Sequence, residues 1–153
     1  MIALTHSPAD IVRQLLVDLG LAVDPAWMGA RDVAVGWPAF AHTEPPQPDD
    51  CITVRETDPQ DDGPDMHGNL YFHHGCQVRF RSSVQNDGQN KARAVQTFLF
   101  QPSNVQRRTV TLDSVNYEVW CVIPGGVLNL GMNVPTDKRF LVTLNIRVPI
   151  RVI

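Results

Sequence analysis

The chain has 153 residues, 43% hydrophobic and 19% charged, with a formal net charge of −3 at neutral pH. That length fits one domain able to bury a core, and the composition excludes wholesale disorder. The weakly acidic balance excludes a general nucleic-acid binder with a basic excess, and no run of about 18 apolar residues is present to cross a membrane.

The opening Met1-Ile2-Ala3-Leu4-Thr5-His6 lacks the charged start and apolar stretch of a signal peptide, so folding is expected in a cytoplasm. The three cysteines, Cys51, Cys76 and Cys121, lie in apolar runs and are expected to be reduced, acting as small buried hydrophobes.

Ser7, Pro8 and Asp10 form a helix start, with a capping side chain, a first-turn proline and an acid at the positive end of the dipole. Ile11, Leu15, Leu16 and Leu19 then recur at helical spacing before Gly20, predicting one amphipathic helix. From 21 to 50 the pattern weakens. Asp32 to Trp37 is expected as a short strand, and the proline-rich stretch near 38–50 as a surface loop. Trp27 and Trp37 are either core residues beneath that loop or anchors for a partner, and core packing is the favoured reading.

Alternating Ile52 and Val54 predict a half-buried strand, followed by a loop over 58–69 because Pro59, Gly63, Pro64 and Gly68 break regular structure. Alternation returns with Cys76, Val78 and Phe80 on one face and Gln77, Arg79 and Arg81 on the other. A polar cluster over 84–90 then leads into a helix from about Gln89 to Phe100 that buries Ala92, Val95, Leu99 and Phe98. Thr109 to Leu112 and Tyr117 to Ile123 predict two strands about an Asp113 to Asn116 turn, and Val127 to Met132 another strand after Gly125-Gly126. The last run, 139–153, alternates from Phe140 to Val152, and Pro149 marks its end as an edge or a departing arm. The sum is a single α+β domain: a mainly antiparallel or mixed β-sheet packed by an N-terminal helix and one central helix.

Charge is segregated along the chain. Eight acids lie between Glu44 and Asp65 against Arg55 alone, whereas six Lys or Arg between Arg107 and Arg151 face only Asp113, Glu118 and Asp137. Opposite patches of this kind steer and register head-to-tail contacts. The interface candidates are Arg107, Arg108, Arg147 and Arg151 from the basic stretch, Arg79 and Arg81 on one strand face, and Asp58, Asp61, Asp62 and Asp65 on the acidic side. Arg79 and Arg81 are expected to be exposed. No catalytic residue, cofactor or metal ligand is assigned, because the chain lacks the nucleophile elbow, phosphate loop, zinc-protease helix and Cys-x-x-Cys patterns. His67, His73, His74 and Cys76 are the nearest approach to a metal set, yet adjacent strand residues point to opposite faces.

The opening helix, the Pro48-Asp49-Asp50-Cys51-Ile52 lead into a strand, the Gly75 to Arg81 strand, the second helix and the closing strands together resemble the tail terminators of long-tailed bacteriophages. The acidic stretch 58–69 and the apolar C-terminal extension lie outside the resemblance. It implies a virion protein at the head–tail junction, made in the host cytoplasm. Such a protein forms a homohexameric ring on the tail tube protein, ends tube growth and presents a surface to the head-completion or connector protein. DNA would pass the lumen without sequence-specific binding, and no membrane would be involved. Two other readings stay open: another neck or head-completion component, and a small metal-dependent binding protein or enzyme built on the histidines.

Overall fold

Asp10 N–H donates to Ser7 Oγ at 3.1 Å, and Ser7 Oγ donates back to Asp10 Oδ2 at 2.7 Å, so the first helix, α1 (Pro8–Asp18), starts where the capping chemistry places it. The structure is a computed structural model that describes residues 3–25, 36–64, 66, 70–120, 122–132 and 138–153. Ile11, Val12, Leu15 and Leu16 on α1 are fully buried. Each such side chain is worth about 1.5–3 kcal/mol over its exposed state, which is why the stripe fixes the helix against the sheet.

After α1 come β1 (Ala39–Ala41), β2 (Cys51–Pro64), β3 (Leu70–Ser82), α2 (Gln85–Phe100), the single turn α3 (Pro102–Val105), β4 (Arg108–Leu112), β5 (Val115–Val119), β6 (Ile123–Met132) and β7 (Phe140–Val152). The strands form one mixed sheet in the order β1-β2-β3-β7-β5-β4, with β6 also paired to β7. Among the described strand pairs only β1 and β2 run parallel. Both helices cover the face carrying Ile52, Val54, Cys76, Val78, Phe80, Val142, Leu144 and Ile146, which form one core with Ala92, Val95 and Leu99 of α2. Tyr117 is buried in the same core, and its hydroxyl receives the His6 backbone N–H at 3.1 Å and lies 2.6 Å from His6 Nδ1. The expected α+β architecture is therefore present, with its two principal helices where the periodicity places them.

Four expectations change. The stretch 58–69 is largely hairpin rather than loop, since β2 continues to Pro64 and β3 begins at Leu70. Its prolines and glycine are tolerated because the pairing shifts register between Thr57 and Gln60 and again between Asp61 and Pro64, where bulges absorb residues that cannot keep the ladder.

The C-terminal run is neither edge nor arm. β7 is the central strand, paired along one side with β3 and along the other with β6 and then β5. Pro149 is accommodated because its carbonyl accepts Trp120 N–H at 3.4 Å, so its missing N–H faces the gap between β6 and β5. In an antiparallel ladder a residue's N–H and C=O point to the same side.

The polar cluster 85–90 belongs to α2, which starts at Gln85 with no side-chain cap. Those polar residues form its exposed first turns, while Gly88 sits close to Ser82 and Val142. The loop 38–50 includes β1; beyond it His42 meets the start of α1, and Pro48 and Asp49 are held by Arg81. The turn between β4 and β5 is the two residues Asp113 and Ser114, both at positive φ (46° and 66°), the mirror-image turn that suits a tight hairpin. Trp27 and residues 32–35 of the strand expected over Asp32 to Trp37 lie outside the described residues; Gly36 and Trp37 are not in a strand, and Trp37 packs partly buried against the core.

Candidate functional site

Glu118 is the one acid in an apolar strand run, and its position on β5 turns it to the face opposite the helices, opposite Arg151 on β7. Its side chain is only 6% exposed. Arg107 Nε donates to its Oε1 at 2.6 Å, Trp120 Nε1 to its Oε2 at 2.7 Å, and Arg151 Nε to Oε2 at 2.6 Å. Arg107 is placed by a positive φ (52°) at the turn into β4 and by its own N–H donating to Trp120 O at 3.0 Å. The Arg151 guanidinium lies 4.8 Å from the Trp120 ring centroid, a cation–π distance. The hydrogen bonds from Arg107, then Trp120 and Arg151, outweigh burial and hold the Glu118 carboxyl down to about 2.

Two guanidiniums about one carboxylate leave net positive charge on an exposed surface, since the Arg107 and Arg151 side chains stay 75% and 55% exposed. With Gln106 and Trp120 they line an open pocket of about 350 Å³. Tryptophan and arginine in one rigid cluster is the composition of an interface anchor. Charge patterning along the chain picks out Arg107 and Arg151 but neither Glu118 nor Trp120. The lone acid within Tyr117-Glu118-Val119-Trp120 is the sequence signal that could join them.

The remaining candidates separate. Arg108 is exposed and donates through Nε to Asn104 O at 2.8 Å. Arg147 is exposed on β7 between Gly75 and Ile123. Arg79 is half-buried opposite Thr53 and Thr143, with its Nε buried and unpartnered. Arg81 is not exposed as expected: at 5% exposure it donates to Pro48 O at 2.7 Å and Asp49 O at 3.4 Å, with Glu44 at 3.7 Å. The 42–50 segment folds over it, and Arg139 adds a bridge to Asp49 at 2.9 Å.

On the acidic side, Asp58 is exposed with Glu56 on β2. Asp61 and Asp62 follow on the same strand, and Asp65 lies outside the described residues. β3 pairs with β7 only from His73 onward, so among the described residues β2 and β3 beyond that point form an arm paired only to itself. At roughly 3.3 Å per residue, the four steps from Gln60 to Pro64 carry it about 13 Å past the sheet.

His73 and His74 pair opposite Pro149 and Val148 on β7 and so present opposite faces. Burial lowers the His74 pKa and pushes the Cys76 thiol up to about 12 and the Cys51 thiol up to about 11. Among the described residues no group of three His, Cys, Asp or Glu side chains is placed to hold a metal ion; His67 lies outside them. Cys51 and Cys76 are free thiols, and Cys121 is outside the described residues. No described helix is long and apolar enough to cross a membrane. A second polar cluster, without a signature in the sequence, ties His42 Nε2 to Ser7 Oγ at 2.9 Å and to Asp10 Oδ2 at 3.3 Å. Burial would raise the Asp10 pKa, but the hydrogen bonds from Ser7 and His42 hold it lowered.

Compared with protein-family profiles and with curated proteins, the chain matches none. Among solved structures it is similar to a chain in the virion of a native gene transfer agent (GTA) particle. That likeness spans 95% of this chain and 98% of the other, with a TM-score of 0.51 at 10% identity. The two chains share a fold from end to end.

Proposed function

We propose that this protein is a structural component of a phage-like virion, acting by assembly rather than catalysis, and within that class a tail terminator. Six copies would close into a ring on the end of the tail tube, stop its elongation and offer the opposite surface to the head-completion or connector protein. DNA would pass through the lumen without being read. The observation that carries the reading is the end-to-end fold likeness to a virion chain. Two complementary charged surfaces on one subunit add to it, since heterologous contacts between unlike patches generate rings.

The test is native mass by light scattering over a concentration series, with and without tail-tube subunits. A hexamer, alone or induced by tubes, supports the terminator. A ring indifferent to tubes but captured by portal-side proteins reassigns the chain to another neck position, and a monomer under every condition removes the ring reading.

A further inference from the structure

We infer that the Trp120 pocket is the receptor for the acidic root of the β2–β3 arm, Glu56 and Asp58, of a second copy of this chain. The inference deepens the ring reading above and rests on it. Pro149 is the pivot of the geometry. It pairs with His73, the last β3 residue before the arm leaves the sheet, and its carbonyl accepts the N–H of Trp120. Arm and pocket therefore sit at the same end of β7 but on opposite flanks of it, since the sheet order runs β2-β3-β7-β5-β4. Rotating one copy about an axis roughly along β7 sets its arm flank against the next copy's pocket flank at the same level.

The chemistry is complementary. The root of the arm, where β2 still pairs with the part of β3 held by β7, offers the exposed carboxylates of Glu56 and Asp58. Opposite it stand Arg107 and Arg151, whose guanidiniums are oriented by Glu118 and remain largely exposed, with Arg151 at cation–π distance from the Trp120 ring. A guanidinium fork fits a carboxylate. Because Glu118 already fixes both arginines, little side-chain entropy is lost on docking. Among the described residues, the outer β3 positions from Leu70 to Phe72 pair with β2 alone, which leaves that edge open to a second copy.

The test uses the full chain under conditions in which the wild type assembles. Glu56→Lys with Asp58→Lys alters two exposed side chains, so circular dichroism and melting should stay native. The concentration for half-assembly should rise about tenfold or more, with the effect strongest at low salt. Adding Arg107→Glu to that double variant should restore part of the loss. As a second readout, Asp58→Cys copies mixed with Gln106→Cys copies should give a disulfide-linked pair on oxidation, above the wild-type background. Such a pair cannot arise within one subunit. Wild-type assembly by the Lys variant, with no mixed cross-link, overturns the inference and leaves the ring intact. A Lys variant that forms rings but no longer joins tubes also overturns it, assigning the arm to a different partner. If the wild type never assembles, the ring reading itself fails.

Discussion

Arg79 and Arg81 occupy equivalent positions two residues apart on one strand, yet replacing each by Met should give unequal outcomes. Arg81 donates to Pro48 O and Asp49 O and faces the Glu44 carboxylate, all beneath a surface that leaves it 5% exposed. Losing charge-assisted hydrogen bonds costs about 1.5–3 kcal/mol each, while relief from burying a guanidinium returns part of that. The 3.4 Å contact is the weaker of the two. Arg81→Met should therefore destabilise by about 2–3 kcal/mol, and at about 2–4 °C per kcal/mol for a chain of this size lower Tm by roughly 4–12 °C. Arg79 has a half-buried side chain and a buried Nε with no partner, so Arg79→Met should lie within about 0.5 kcal/mol of wild type or slightly above it. Urea unfolding followed by circular dichroism measures both, and unchanged m-values would show that the native fold is retained. Equal effects for the two variants, or a loss below about 1 kcal/mol for Arg81→Met, would refute the view that Arg81 straps the 42–50 segment to the sheet.

Contacts elsewhere in the fold set three further outcomes. Glu118 has a carboxyl lowered from 4.5 to about 2, so its contribution is fully present above about pH 4.5 and lost as pH falls toward 2. Glu118→Gln should accordingly be less stable at neutral pH, with a shallower decline of Tm across that window; an unchanged acid limb would remove Glu118 as its cause. Cys51 and Cys76 are fully buried with raised pKa values, so mass mapping after a brief alkylation at pH 8 should find both unmodified until the protein is unfolded. At Gly75 an added Cβ would meet Thr57 Oγ1 at 2.2 Å and Asp58 O at 2.8 Å, so Gly75→Ala should force β2 and β3 apart at the base of the arm. A cost of about 1–3 kcal/mol is expected, with faster proteolysis within the arm. Neutral behaviour would mean that the strands there separate freely.

Where the chemistry is local the sequence is sufficient, and where it depends on partners far along the chain it is not. The Ser7 cap, the α1 stripe and the alternation from Cys76 to Phe80 each involve neighbours within a few residues, and each appears in the fold as the pattern predicts. Pro59, Gly63 and Pro64 look like loop residues because a breaker and a bulge are indistinguishable until the opposite strand is known. Pro149 suggests an edge for the same reason: nothing nearby says that β6 ends and β5 begins beside it. Strand alternation turns Arg81 outward, yet its acceptors are backbone carbonyls at Pro48 and Asp49, more than thirty residues away, and carbonyls carry no sequence signature. Arg107 and Arg151 can be suspected from charge, but Glu118, 33 residues before Arg151, is what makes them a unit.

The common exit point at Pro149 also bears on what kind of assembly an arm-and-pocket contact would build. A heterologous contact gives a closed ring if successive copies are related by rotation alone, and an open helix if each step also advances along the axis. Here the arm leaves β3 at His73 and the pocket hangs from Trp120, and both are tied to Pro149. Donor and acceptor therefore begin at the same height along β7, and docking one into the other requires little axial rise. The bulges in the arm matter in the same way, since they add twist and so set the direction in which it leaves the sheet. In a ring built this way, closure would be a property of the arm's angle more than of the pocket's affinity. Substitutions at the bulges should change the size of the ring, whereas substitutions at Arg107 or Trp120 should change only how readily it forms; native mass at saturating concentration separates the two effects.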